Sequence, residues 1–202
     1  MYPVKTPYLI KKLYPSLTWN LNRAEKTLYI TFDDGPIPEV TPFVLEELKK
    51  YNAKATFFCI GDNIRKHPEV FNQVVEGGHS IGNHTYNHLN GWQTPTAEYV
   101  KNIEKCNSLI NAQLFRPPYG KIRPTQIHNL KKNYKIIMWD VLSGDFDINL
   151  SPQSCYENVI KHAENGSIIV FHDSLKAAPR LRYVLPKALE HWSSKGFNFK
   201  AL

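Results

Sequence analysis

Along the chain, short apolar runs alternate with longer stretches in which apolar residues return every three or four positions. The runs Leu28–Phe32, Ala55–Ile60, His79–Gly82, Leu114–Arg116, Ile136–Asp140, Ile168–Phe171 and Phe197–Phe199 predict strands. Between them, Val40–Tyr51, Pro68–Glu76, Pro95–Asn111, Arg123–Lys132, Pro152–Glu164 and Arg180–Ser194 predict helices. In the first, Val44, Leu45, Leu48 and Tyr51 mark one helical face. Prolines near several of the starts suit helix entry. Strands alternating with helices in this way predict an α/β fold of parallel units.

On that frame the chemically versatile residues fall at one kind of place. Asp33 and Asp34 follow the first predicted strand, and His84 and His88 follow the third. Arg116 ends the fourth, Asp145 lies just beyond the fifth, and His172 follows the sixth. All are carboxyl ends of strands, which a barrel gathers on one face, where loop-borne groups converge on a pocket.

The chemistry these residues can do depends on their spacing. In H-T-Y-N-H, His84 and His88 stand at i and i+4, so a helix or helical turn would put both imidazoles on one side. A carboxylate from another strand end would complete a two-histidine, one-carboxylate set with a position left for water. Two unrelated surface histidines fit the same spacing. In T-F-D-D-G-P, adjacent Asp33 and Asp34 repel, which a cation would offset, leaving one to bind metal and the other to handle protons. A plain turn or helix cap would also use such aspartates.

In F-R-P-P-Y-G, Arg116 could pair with a catalytic carboxylate, and the rigid turn could aim a backbone N–H at a developing oxyanion. His172, leaving a buried run, needs a carboxylate partner to serve as general acid, and Asp145 is the candidate. His79, in the glycine-rich G-G-H-S-I-G-N, reads as a structural histidine rather than a second support for the site.

Bulk properties narrow the setting. At 202 residues, 42% hydrophobic and 21% charged, the chain suits one ordinary domain. The net charge of +7 is spread over short lysine pairs with no nucleic-acid motif, so no nucleic-acid partner is expected. Cys59, Cys106 and Cys155 are odd in number and far apart, which argues against a disulfide framework or a structural zinc site. Neither a signal-peptide core nor a membrane-spanning run is visible, which makes a cytoplasmic monomer the default expectation. Periplasmic or cell-envelope association stays open.

Taken together, these segments resemble the polysaccharide deacetylases of carbohydrate esterase family 4, which share the NodB homology domain. T-F-D-D-G, H-T-Y-N-H, R-P-P-Y-G, S-G-D-F and V-F-H follow the family's order from Thr31 to Asp173, about 70% of the chain. The resemblance implies a distorted (β/α) barrel, usually seven-stranded, in agreement with the strand count above. Residues 27–202 would be the catalytic domain, and residues 1–26 a cap packed by Tyr14 and Trp19.

By that resemblance Asp33 is the catalytic base, and Asp34, His84 and His88 bind a divalent metal, commonly zinc, with cobalt or nickel as substitutes. Arg116 orients Asp33, the Tyr119 backbone N–H beside Pro118 holds the oxyanion, and Asp145 orients the acid His172. The reaction implied is hydrolysis of N-acetyl groups on an amino-sugar glycan, releasing acetate. Two departures bear on substrate identity: Phe146 stands where the family usually has Trp, and Val170-Phe171-His172 stands for Leu-x-His. An O-acetyl esterase and a catalytically silent glycan-binding domain are the rival readings.

Overall fold

The computed structural model describes residues 2–202. Helix α1 (Tyr8–Leu13) precedes strand β1 (Thr27–Asp33), followed by α2 (Thr41–Lys50), β2 (Thr56–Cys59), α3 (Gly61–Lys66), α4 (Pro68–Glu76) and β3 (Ser80–Asn83). Next come α5 (Thr96–Ile110), β4 (Leu114–Phe115), a 3-10 turn at Pro118–Gly120, α6 (Pro124–Leu130) and β5 (Lys135–Ile136). Strand β6 (Val141–Leu142), α7 (Pro152–His162), β7 (Ile168–His172), α8 (Ala178–Ser194) and β8 (Asn198–Phe199) complete the chain.

The main sheet runs β5-β4-β3-β2-β1-β7-β6, all neighbours parallel, with β8 added beside the start of β1. Its shape follows from connectivity. Strands β5 and β6 are opposite edges of this order, yet only residues 137–140 separate them in sequence. Five peptide steps reach at most about 18 Å. A flat sheet would hold those edges about 29 Å apart, six strand spacings. The seven parallel strands must therefore curl into a half-barrel.

The same constraint corrects the expected fifth strand, Ile136–Asp140. Only Ile136 belongs to a strand, at the end of β5, and β6 begins just beyond Asp140. The residues between are consumed in crossing from edge to edge. Helices α1 and α3 lie outside the periodic segments; each is six residues long, too short for a periodic pattern to show.

The N-terminal segment supplies the hydrogen bonds that the sheet edges lack along this seam. Thr18 N–H donates to Ile136 O (2.9 Å), Met138 N–H to Thr18 O (2.7 Å), Thr6 N–H to Asp140 O (2.9 Å) and Leu142 N–H to Val4 O (2.8 Å). Val4, Thr6 and Thr18 are thus woven into the barrel seam, while α1 between them buries none of its residues. Trp19 is buried there, but Tyr14, expected to pack beside it, is exposed and contributes its carbonyl to Trp19 Nε1 (3.2 Å).

Period-two alternation sorts the side chains of β1. Leu28, Ile30 and Phe32 face the helices and join Val44, Leu48, Leu181, Leu185 and Trp192 in the main core. The alternate face turns into the barrel, where Tyr29 packs with Phe58, Ile137 and Ile168. Thr31 and Asp33 lie on this inner face, and Asp33 is the last residue of the strand.

Candidate metal and catalytic site

Asp33 and His172 are register partners, the last residues of adjacent parallel strands β1 and β7. Each has a charged companion. Arg116, fully buried after β4, donates Nη1–H to Asp33 Oδ1 (2.7 Å) and to Thr31 Oγ1 (2.7 Å), and Nη2–H to Met138 O (3.0 Å). Its guanidinium carbon lies 4.1 Å above the Phe58 ring. Burial lowers the Arg116 pKa, which Asp33 opposes. The side chain is thus fixed on every side and cannot swing away from Asp33.

His172 is held by Asp145, which follows β6 on the next strand outward. Asp145 Oδ1 lies 2.8 Å from His172 Nδ1, and Oδ2 accepts the His172 backbone N–H (2.8 Å). Burial alone would lower the imidazole pKa, but the Asp145 carboxylate, with Asp34 and Asp33 behind it, raises it to about 9. The Asp145 carboxylate thus favours the protonated, acid form of His172.

Next to Asp33, Asp34 adopts φ 86° and turns out of the strand toward the two histidines. Its Oδ1 lies 3.3 Å from His88 Nε2 and 3.8 Å from His84 Nε2, and the three ligand atoms fall within 4.8 Å of one another. The H-T-Y-N-H segment is not helical, contrary to expectation: it is a loop with Thr85 at φ 64° and His88 at φ 56°. Side-chain amides hold it. Asn102 Oδ1 accepts from Tyr86 N (2.8 Å) and Asn87 N (3.1 Å), and Asn83 Oδ1 from Thr85 N (2.8 Å).

The donors suit a divalent cation. Asp34 Oδ1 is buried and makes no hydrogen bond, an orphan that a positive ion would satisfy. The His84 pKa is lowered to about 4, chiefly by burial, leaving the neutral imidazole that ligates metals. Burial would raise the Asp34 pKa, but His88, His172 and His84 outweigh it and lower it. Two imidazoles with one carboxylate form a borderline set suited to zinc and its neighbours.

Other sequence expectations resolve differently. Tyr119, at φ 60°, is exposed at the site, and Pro118 is buried as the backing of its turn. Phe146 sits edge-on to His172, 5.1 Å between ring centroids, and so borders the acid. Val170, expected to shape the pocket, is instead sealed beneath it. It lies two residues before His172 on the same face and is 1% exposed, so it is floor rather than wall. His79 stands before β3, at the opposite end of the barrel. There its Nδ1 accepts Ala55 N–H (3.2 Å), and burial lowers its pKa to about 4.

The structure also shows supports that the sequence reading missed. Asp173, buried, accepts Gly35 N–H (3.0 Å) and Thr41 Oγ1–H (2.6 Å), tying the Asp-Asp-Gly loop to the strand that carries His172. A Cβ on Gly35 would lie 2.0 Å from Asp173 Oδ2, so only glycine fits there. Its position directly after His172 was the available signal; Asn83 and Asn102 offered none.

Fold and site together define an α/β half-barrel with a two-histidine, one-carboxylate cluster at the carboxyl ends of its strands. The chain belongs to the polysaccharide deacetylase family, whose model matches residues 20–136. It is 34% identical over 200 residues to a peptidoglycan-N-acetylglucosamine deacetylase of Bacillus cereus, covering 95% of this chain and 94% of that protein. It is 36% identical over 162 residues to a chitooligosaccharide deacetylase of Azorhizobium caulinodans, 76% of each. Among solved structures it resembles a peptidoglycan N-acetylglucosamine deacetylase in complex with 4-naphthalen-1-yl-N-oxidanyl-benzamide. That likeness has a TM-score of 0.89 at 31% identity, over 98% of this chain and 95% of the other.

Proposed function

We propose that this protein hydrolyses N-acetyl groups on amino sugars of a peptidoglycan- or chitooligosaccharide-type glycan, releasing acetate. The observation that carries this reading is the pairing of Asp33–Arg116 with His172–Asp145 on adjacent strands, directly beside the Asp34–His84–His88 cluster. Adjacent parallel strands are about 4.8 Å apart, so proton acceptor and proton donor can serve one bound amide. The names of the relatives support the substrate class.

A divalent ion on Asp34, His84 and His88, most suitably zinc, would polarise the amide carbonyl and acidify a water. Asp33, anchored by Arg116, accepts the proton of the water that attacks the carbonyl carbon. His172, in its acid form, delivers a proton to the departing nitrogen, which cannot leave as an anion. Asp145 holds the imidazole through Nδ1 and so keeps Nε2 as the atom that gives up the proton. The Tyr119 backbone N–H, in its left-handed turn, serves as a donor to the developing oxyanion.

A polymeric substrate suits the rim. Trp92, Tyr119, Ile148 and Leu175 are large, exposed and apolar, and lie on four separate loops that follow β3, β4, β6 and β7. Such surfaces accept the apolar faces of sugar rings. The test is acetate release by metal-loaded protein from chitooligosaccharides, peptidoglycan fragments and acetylated xylan. Release from the two amide substrates is expected. Release from xylan alone would make the protein an ester hydrolase, and release from none would overturn the catalytic reading.

A further inference from the structure

The short segment R-P-P-Y-G touches both histidines of the cluster, but with partners of different chemistry. His84 Nδ1 lies 2.8 Å from the Arg116 carbonyl oxygen. A carbonyl only accepts, so Nδ1 must carry the proton and Nε2 presents a lone pair. His84 is thus locked as a ligand before any ion arrives. His88 Nδ1 instead lies 3.0 Å from the Tyr119 hydroxyl, with the two rings edge-to-face, 4.6 Å between centroids. A hydroxyl can accept or donate, so it fits either tautomer of His88.

The backbone supports the view that this contact is built rather than incidental. Among the described residues, six that are not glycine have positive φ, and four of them are Asp34, Thr85, His88 and Tyr119. The other two, Asn52 and Asn111, are asparagines just after helices, where that conformation is common. Left-handed backbone is uncommon outside glycine, less so for a histidine than for a tyrosine, and here His88 and Tyr119 both adopt it and bring hydroxyl and imidazole into contact.

On the reading of Asp34, His84 and His88 as a metal site, we propose that Tyr119, through its side-chain hydroxyl, is the positioning residue for His88. When His88 Nε2 faces a cation, the proton sits on Nδ1 and Tyr119 Oη accepts it. When Nε2 is protonated, the hydroxyl reverses and donates to Nδ1. His84 is the fixed ligand and His88 the adaptable one. Tyr119 thereby joins the metal site by its side chain and the oxyanion donor by its backbone. Outer partners of this kind are commonly worth 10- to 100-fold in metal affinity.

The experiment uses zinc alone as the probe, with no glycan. Zinc affinity is measured by competition with a chromophoric chelator for the wild type, Tyr119→Phe and Trp92→Ala, the last an exposed aromatic bonded to neither imidazole. Ring-nitrogen NMR on 15N-histidine protein reads the tautomers directly. Tyr119→Phe is expected to weaken zinc binding about 10- to 100-fold, with Trp92→Ala unchanged. Before zinc, His84 should show only the Nδ1–H form and His88 both forms; after zinc, both should show Nδ1–H. Wild-type affinity in Tyr119→Phe, or a His88 locked as Nδ1–H throughout, would overturn the role of Tyr119 while leaving the metal site standing. A wild type that takes up no zinc would overturn both.

Discussion

Asp140 and Asp34 carry the same functional group into the protein interior at opposite ends of the barrel, one just before β6 and the other just after β1. Asp140 is saturated. It accepts from Lys5 Nζ (2.8 Å), Arg23 Nη2 (2.9 Å), Ser167 Oγ (2.6 Å) and Lys11 Nζ. Asp34 keeps a buried oxygen with no hydrogen bond and faces two imidazoles that present nitrogens rather than fixed positive charge. Burying a carboxylate is costly unless something compensates it. At Asp140 the chain supplies the whole compensation, and the result is a fastened seam. At Asp34 it supplies only part, and the remaining demand is chemical selectivity for a cation.

The contrast breaks most sharply at the aspartate pair. Asn is nearly isosteric with Asp but carries no charge. Asp33→Asn is expected to retain metal, to lose folding stability because buried Arg116 loses its charge partner, and to lose on the order of 10²- to 10⁴-fold in turnover, the usual worth of a general base. Asp34→Asn is expected to lose metal affinity instead, with partial recovery of activity at high zinc. Metal content and acetate release measured on both purified variants decide it. Exchange of the two phenotypes would reverse the roles.

His172 comes next. Because its pKa is raised to about 9, the acid form dominates below that value and is lost as pH rises through it. Amide turnover should therefore fall on the alkaline side. A cation at Asp34 removes part of the negative charge that raises this pKa, so the limb in loaded enzyme lies at or below about 9. His172→Ala should cost far more on an acetamide than on an activated aryl acetate, whose leaving group needs no proton. The same ion pair stabilises the fold fully below the ordinary imidazole value of 6.5, and its contribution fades as pH rises through about 9.

The smallest effects belong to the saturated end. Asp140→Asn should cost about 3 kcal/mol of folding stability, at the low end for a broken buried pair because its lysine and arginine partners keep some solvent. Lys5→Met should cost under about 1 kcal/mol, since Lys11 and Arg23 still satisfy the carboxylate. Denaturant midpoints measure both, and zinc uptake should not change in either. A seam variant that lost zinc would show that the two ends are not independent.

Much of this organisation is legible along the chain because it is local. β1, β2, β3, β4 and β7 fall within a residue or two of their apolar runs, and the periodic segments form α2, α4, α5, α6, α7 and α8. The candidate site residues sit at strand ends, where turn chemistry marks them in the one-dimensional pattern. The i, i+4 spacing of His84 and His88 pointed to one ligand cluster by way of a helix. The structure brings them together through a strained loop pinned by Asn83 and Asn102, which no local pattern announces.

What the amino-acid order determined by itself is therefore the set of βα units, their parallel sense and the identity of the groups delivered to one rim. Those properties follow from periodicity and turn residues that act over a few positions. Only the tertiary structure decided how the rim closes. It split the expected fifth strand, because residues 137–140 had to cross between sheet edges, and it threaded Val4, Thr6 and Thr18 into the seam. It sealed Val170 beneath the site, set Asp173 behind Gly35 and laid the Tyr119 hydroxyl on His88. Each of these joins residues distant in sequence, and such contacts are settled by packing and by the cost of leaving buried polar groups unpaired.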